Sequence, residues 1–103
     1  MTGYNVVWSE RAYEALRKIA DFIAENSEQG AKNVVRELVR QSQTLSSLPR
    51  RNPIEPSLAD ASFEYRFLVK WNYKIIYTIL EEERIVLIVL VFDTRQSSEK
   101  LTI

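Results

Sequence analysis

The chain has 103 residues, 46% hydrophobic and 27% charged, which suits one domain spanning 1–103 and leaves no room for a second core. It has no cysteine and no histidine, which excludes disulfides, thiolate metal sites, Ser-His-Asp or Cys-His nucleophiles and histidine general bases. Lysine plus arginine and aspartate plus glutamate each total 14, and a zero net charge argues against binding nucleic acid mainly through phosphates.

No apolar run reaches the ~18 residues of a membrane helix. Residues 1–8 lack the basic and apolar regions of a signal peptide. A cytoplasmic protein with no membrane partner is expected. Gly3 and Gly30 are the sole glycines, so no phosphate-cradling glycine loop exists; no metal and no cofactor are expected.

Tyr4, Val6 and Trp8 alternate and predict a short first strand. Ser9 follows as a helix N-cap, with Glu10 in the first turn where the helix dipole favours an anion. Ala12, Leu16, Ile19 and Ile23 then share one face of a helix running to about Asn26. The segment 26–30 is a break in which Ser27 can cap a second helix. Ala31, Val35, Leu38, Ser42, Leu45 and Leu48 line one face of that helix, which Pro49 stops. So short a break implies an antiparallel helical hairpin.

Residues 50–62, with Pro53 and Pro56, read as a loop. Three strands follow at about 63–70, 73–80 and 85–92, with an acidic turn over 81–84. A three-residue loop, Lys70-Trp71-Asn72, would pair Tyr65 with Tyr77, Phe67 with Ile75 and Val69 with Tyr73, all on one face. A two-residue loop would instead pair Arg66 with Tyr77 and Lys70 with Tyr73, mixing cations with aromatics. The longer loop is therefore expected. It puts Glu64, Arg66, Leu68, Lys74, Ile76 and Thr78 on the opposite face. The third strand is apolar on both faces, and two helices cover only one. A loop, a second copy or a partner chain must shelter part of the other.

Strand, helical hairpin, proline-containing loop and three-stranded meander form an α+β layout, with the helices on one face of the sheet. With Tyr4-x-Val6-x-Trp8-Ser9, Leu48-Pro49-Arg50-Arg51, Tyr65-Arg66, Tyr73-Lys74-Ile75-Ile76-Tyr77 and Val91-Phe92-Asp93-Thr94-Arg95-Gln96, the chain resembles the RelE/ParE toxin superfamily along its whole length. The resemblance implies a toxin of a type II toxin–antitoxin pair, neutralised by a cognate antitoxin whose C-terminal segment wraps it. One branch, resembling RelE, cleaves mRNA on the ribosome; the other, resembling ParE, inhibits DNA gyrase. In the nuclease branch, cations stabilise the phosphate while a basic or phenolic group moves a 2′-hydroxyl proton. Arg66, Lys74 and Arg95 match three cationic positions of that branch. Leu68 stands where a lysine is expected, and the expected late tyrosine falls near Leu101. These departures favour the ParE-like branch, with Arg66, Leu68, Trp71, Lys74, Ile76 and Arg95 as contacts to antitoxin or target.

Other readings stand beside these. Arg66 and Lys74 can be solvated cations on an open sheet face, and Arg95 an inert strand-end arginine. Tyr65, Tyr73 and Tyr77 read as core, and Arg50-Arg51 as a solvated pair. Trp71 is either an exposed anchor or a lid folded over the sheet.

Overall fold

The structure, a computed structural model, describes residues 3–96, 101 and 103. Strand β1 (Asn5–Trp8) leads into α1 (Glu10–Ala24) and α2 (Glu28–Gln43). Strands β2 (Tyr65–Lys70), β3 (Tyr73–Leu80) and β4 (Ile85–Asp93) follow as a meander. The sheet order is β1-β4-β3-β2, with β1 parallel to β4 and the other pairings antiparallel. The α+β layout expected from the sequence is the one found.

Both helices begin where their caps predict. The Ser9 hydroxyl accepts the Ala12 amide at 3.0 Å, and the Ser27 hydroxyl accepts the Gly30 amide at 2.8 Å, each satisfying a donor that a helix start leaves free. Gly30 lies inside α2 rather than in the break; a Cβ there would meet the Ser27 oxygen at 3.0 Å. The second helix also ends earlier than expected. It gives way to a 3-10 turn, Thr44–Ser46, and Leu48 takes a left-handed backbone (φ 49°) with its side chain exposed. The helical stripe thus ends at Leu45, which is buried.

The main core lies between the helices and one sheet face. It joins Ala12, Leu16 and Leu38 to Tyr73, Ile75, Tyr77, Val86, Ile88 and Val91. Ser42 is buried there because its hydroxyl both accepts the Trp8 indole N–H at 3.2 Å and donates to the Val39 carbonyl at 2.7 Å. Strand β4 carries a bulge: Tyr77 faces Ile88 while Ile76 faces Leu90, leaving Val89 without an opposite number. The extra residue re-phases the strand, so Ile88 and Val91 both face the helices although they are an odd number of residues apart.

The β2–β3 register corrects the expectation. The turn is two residues, Trp71-Asn72, with Lys70 opposite Tyr73, Leu68 opposite Ile75 and Arg66 opposite Tyr77. Trp71 carries the positive φ of the first turn position (55°), as in a II′ hairpin turn. Tyr65 and Phe67 therefore face away from Tyr73, Ile75 and Tyr77. Arg66 and Leu68 face the helix side, while Lys74 and Ile76 face the other. Cations are tolerated on the aromatic side because β2 is the edge of the named strands. Their aliphatic stems lie along apolar surface while their charged heads reach polar partners.

The second sheet face is partly covered from within the chain. Tyr65, Ile76 and Leu101 form a second buried cluster, with Leu58, Phe67, Val89, Leu90 and Phe92 packed around it. A loop and the tail thus provide some of the shelter that was expected from a loop, a second copy or a partner chain. Phe63 and Val69 remain exposed; Phe63 precedes β2 instead of starting it.

Candidate functional site

The cations picked out by the sequence do not converge. Arg66 and Lys74 divide between the two sheet faces and hold the strap formed by residues 49–58, while Arg95 lies past the end of β4. The backbone of the strap extends the sheet. Ile54 bridges Arg66, the Glu55 amide donates to the Tyr65 carbonyl at 2.8 Å, and the Phe67 amide donates to the Pro53 carbonyl at 3.1 Å. These bonds occupy part of the outer edge of β2.

On the helix side, Arg66 Nη1 donates to the carbonyls of Asn52 at 2.6 Å and Arg50 at 3.0 Å, and Nη2 to Glu64 at 3.1 Å. Its side chain is 15% exposed, and its Nε is buried with no hydrogen-bond partner. Beside it the Tyr77 hydroxyl donates to the Pro49 carbonyl at 2.6 Å, and burial raises the Tyr77 pKa. A guanidinium fixed to two backbone carbonyls is a fastener. It cannot reach a phosphate without giving up those bonds.

On the opposite side, Lys74 Nζ donates to Glu55 Oε1 at 2.7 Å and lies 4.3 Å from the centre of the Phe67 ring. The other Glu55 oxygen accepts the amide of Ser57 at 3.1 Å and its hydroxyl at 2.7 Å. Glu55 is only 2% exposed. Burial pushes its pKa up, yet the donors from Lys74 and Ser57 outweigh burial and the net shift is downward.

Leu68 is partly buried against the main core, and Ile76 lies fully buried in the second cluster. Leu101, where the nuclease branch would place a tyrosine, packs against Tyr65 and Ile76. Arg95 is exposed and folds onto Asp93, Nη2 to Oδ2 at 2.7 Å; this bond leads the causes that hold the Asp93 carboxyl at about 2. Asn72 also donates to Asp93 at 3.1 Å, and the Thr94 amide to the Asn72 carbonyl at 2.7 Å, so the β2–β3 turn is tied to the end of β4.

Trp71 stands out at that turn, 56% exposed, with Lys70 Nζ 4.9 Å above its ring. A cleft of about 440 Å³, lined by Tyr4, Leu48, Pro49, Arg50 and Arg84 among others, lies elsewhere on the surface. Its polar rim is a network in which Glu81 accepts from Tyr4 at 2.8 Å, Arg50 at 3.1 Å and Arg84 at 2.7 Å. Sequence reading missed both Glu55 and the strap. An isolated glutamate between two prolines carries no local sign that it will be buried.

The family model of the ParE toxin of type II toxin–antitoxin systems, parDE, matches residues 6–97. The chain belongs to the ParE toxin family. It is therefore a toxin-type component of the RelE/ParE superfamily, and its fold agrees. The chromosomal ParDE toxin–antitoxin system from P. aeruginosa aligns at TM-score 0.71 and 16% identity, over 90% of this chain and 98% of that one. The RelBE2 toxin–antitoxin complex from Mycobacterium tuberculosis aligns at 0.66 and 22%, over 90% and 93%. A mutant of the E. coli toxin RelE in the free state aligns at 0.60 and 19%, over 93% and 88%. At such identities these likenesses establish the fold alone. Comparison with curated proteins finds no match. Among the described residues, no helix is long and apolar enough to cross a membrane.

Proposed function

We propose that this ParE family toxin acts by binding DNA gyrase rather than by cutting RNA, and that a cognate antitoxin neutralises it. The observation that carries the reading is the division of Arg66 and Lys74 between opposite sheet faces, each bonded to the strap. Phosphodiester cleavage needs its cations and its proton-transfer group around one phosphate. Here two of the three cations cannot share a phosphate, and Leu68 and Leu101 can move no proton. Trp71 and Arg95 remain exposed, the residue types enriched at protein interfaces. They are the contacts assigned to target or antitoxin, while Arg66 and Lys74 support the surface from within.

The test is a pair of assays on purified protein. Gyrase supercoiling is expected to be inhibited, and ribosome-bound mRNA to stay intact. Codon-specific mRNA cuts that disappear in Arg66→Ala or Arg95→Ala would overturn the reading in favour of a ribosome-dependent endonuclease. Toxicity without gyrase inhibition would point to another protein target, and antitoxin binding without toxicity to a toxin that has lost its target.

A further inference from the structure

The two edges of the sheet are finished differently. At β2 the strap takes outward backbone groups of Tyr65 and Phe67. At β1 the Asn5 and Ser9 amides donate to the carbonyls of Arg84 and Ile88, each at 2.9 Å, so residues 5, 7 and 9 turn their backbone toward β4. Residues 4, 6 and 8 turn theirs outward. The Ser46 carbonyl accepts the Tyr4 amide at 2.9 Å, but among the described residues no backbone group meets Val6 or Trp8 on that side. An open edge is a template for another strand, and proteins commonly blunt it with a charge or a proline. Residues 4–9 have neither, in a chain that is 27% charged. The edge is also held in place. Val6 and Trp8 pack against the main core, and the Trp8 indole donates to Ser42 at 3.2 Å. Val7 points to the opposite face, 42% exposed beside Leu87, and the cluster around Leu101 includes neither.

We propose that β1 pairs antiparallel with β1 of a second copy of this chain, joining two sheets into one across a twofold axis at Val7. Val6 then exchanges both its backbone bonds with Trp8 of the other copy, and the edge is satisfied on both sides. Val7 meets its own counterpart as a non-hydrogen-bonded pair, so the exposed valines and the two Leu87 side chains form one apolar strip. Asn5 falls opposite Ser9, and no like charges face each other. The strap decides in favour of a closed pair over a longer stack. It covers the β2 edge, so among copies of this chain β1 can meet only β1, and the contact ends as a dimer. The pairing is independent of which target the toxin binds, and the experiment contains none.

The chain has no cysteine, so a single introduced one reports its own contact. Across the axis two residues at position 7 lie about 4.5 Å apart between Cα atoms, within disulfide reach. Two at position 5 lie roughly 13 Å apart, beyond it. Val7→Cys is therefore expected to form a disulfide-linked dimer under mild oxidation, and Asn5→Cys, equally exposed, to stay monomeric. Sedimentation of the unaltered chain between about 1 and 100 µM is expected to show a monomer–dimer equilibrium. Val7→Asp, which sets two carboxylates face to face, should weaken it at least ~10-fold. A chain that stays monomeric at about 100 µM overturns the pairing. So does a dimer that Val7→Asp leaves intact, or cross-linking as efficient at position 5 as at position 7. Should Val7→Asp fail to fold, the two cysteine variants decide between the same outcomes.

Discussion

Trp71 shows how one residue can set both a fold and a surface. Left-handed backbone at a bulky residue costs on the order of 1 kcal/mol, a strain that glycine escapes. Trp71→Gly is therefore expected to stabilise the protein by about 0.5–1 kcal/mol in urea denaturation, because an exposed cation–π contact with Lys70 offsets little of the strain. Gyrase inhibition by the same variant is expected to weaken if Trp71 is a contact. A fall in stability instead would show that ring packing outweighs backbone strain. The sequence marked the hairpin tip but not its length. Matching aromatics across the strands favoured a three-residue loop, and one residue of slip turned β2 over relative to β3. What defeated that pattern was Arg66, whose position on the helix side becomes acceptable only once the carbonyls of residues 50 and 52 return to meet it. No local signal near Arg66 announces those partners.

Elements whose signals are local were legible in the sequence, and those defined by long-range contacts were not. Both helix starts could be read from Ser9 and Ser27 because a cap and its first turn are adjacent in the chain. Ser9→Ala is expected to cost about 1 kcal/mol, measurable as a lower melting temperature with an unchanged far-ultraviolet spectrum. The strap is the contrary case. Its prolines correctly signal the absence of a long helix or strand, yet its bonds to β2 depend on residues far along the chain. Arg66→Ala should release it: a loss of about 2–3 kcal/mol for the charged hydrogen bonds, with hydrogen exchange accelerated over residues 49–58 and little changed in α1. Arg66→Lys should restore only part, since an ammonium cannot reproduce a planar fork reaching two carbonyls and a carboxylate. The same contact lay beyond what the sequence could show of the candidate site. The cations were read as contacts to antitoxin or target, and in the fold Arg66 and Lys74 also bond the strap of their own chain.

At the scale of the whole molecule, charge chemistry fixes the response to pH. Hydrogen bonds led by Arg40 and by Arg95 hold the Glu37 and Asp93 carboxyls near about 2, from ordinary values of 4.5 and 3.8. Glu55 and Glu81 are lowered as well. Groups more acidic in the folded chain stabilise it above their unfolded pKa, and that contribution disappears as pH falls through the folded value. With no histidine to titrate, the melting temperature is expected to stay nearly level from about pH 5.5 to 8 and to fall progressively between about pH 5 and 2. A marked transition near pH 6.5 would contradict this. The layout of the whole chain was legible because its element order is distinctive; the division of the sheet faces was not, since it depends on the hairpin register. The parallel pairing of β1 with β4 has a further consequence, one of timing. Asn5 lies beside Ile85, so the first strand to be synthesised waits for the last before it finds its neighbour. A ribosome that stalls before Ile85 therefore leaves an incomplete sheet and no assembled toxin surface, and the sheet closes only once β4 has been made.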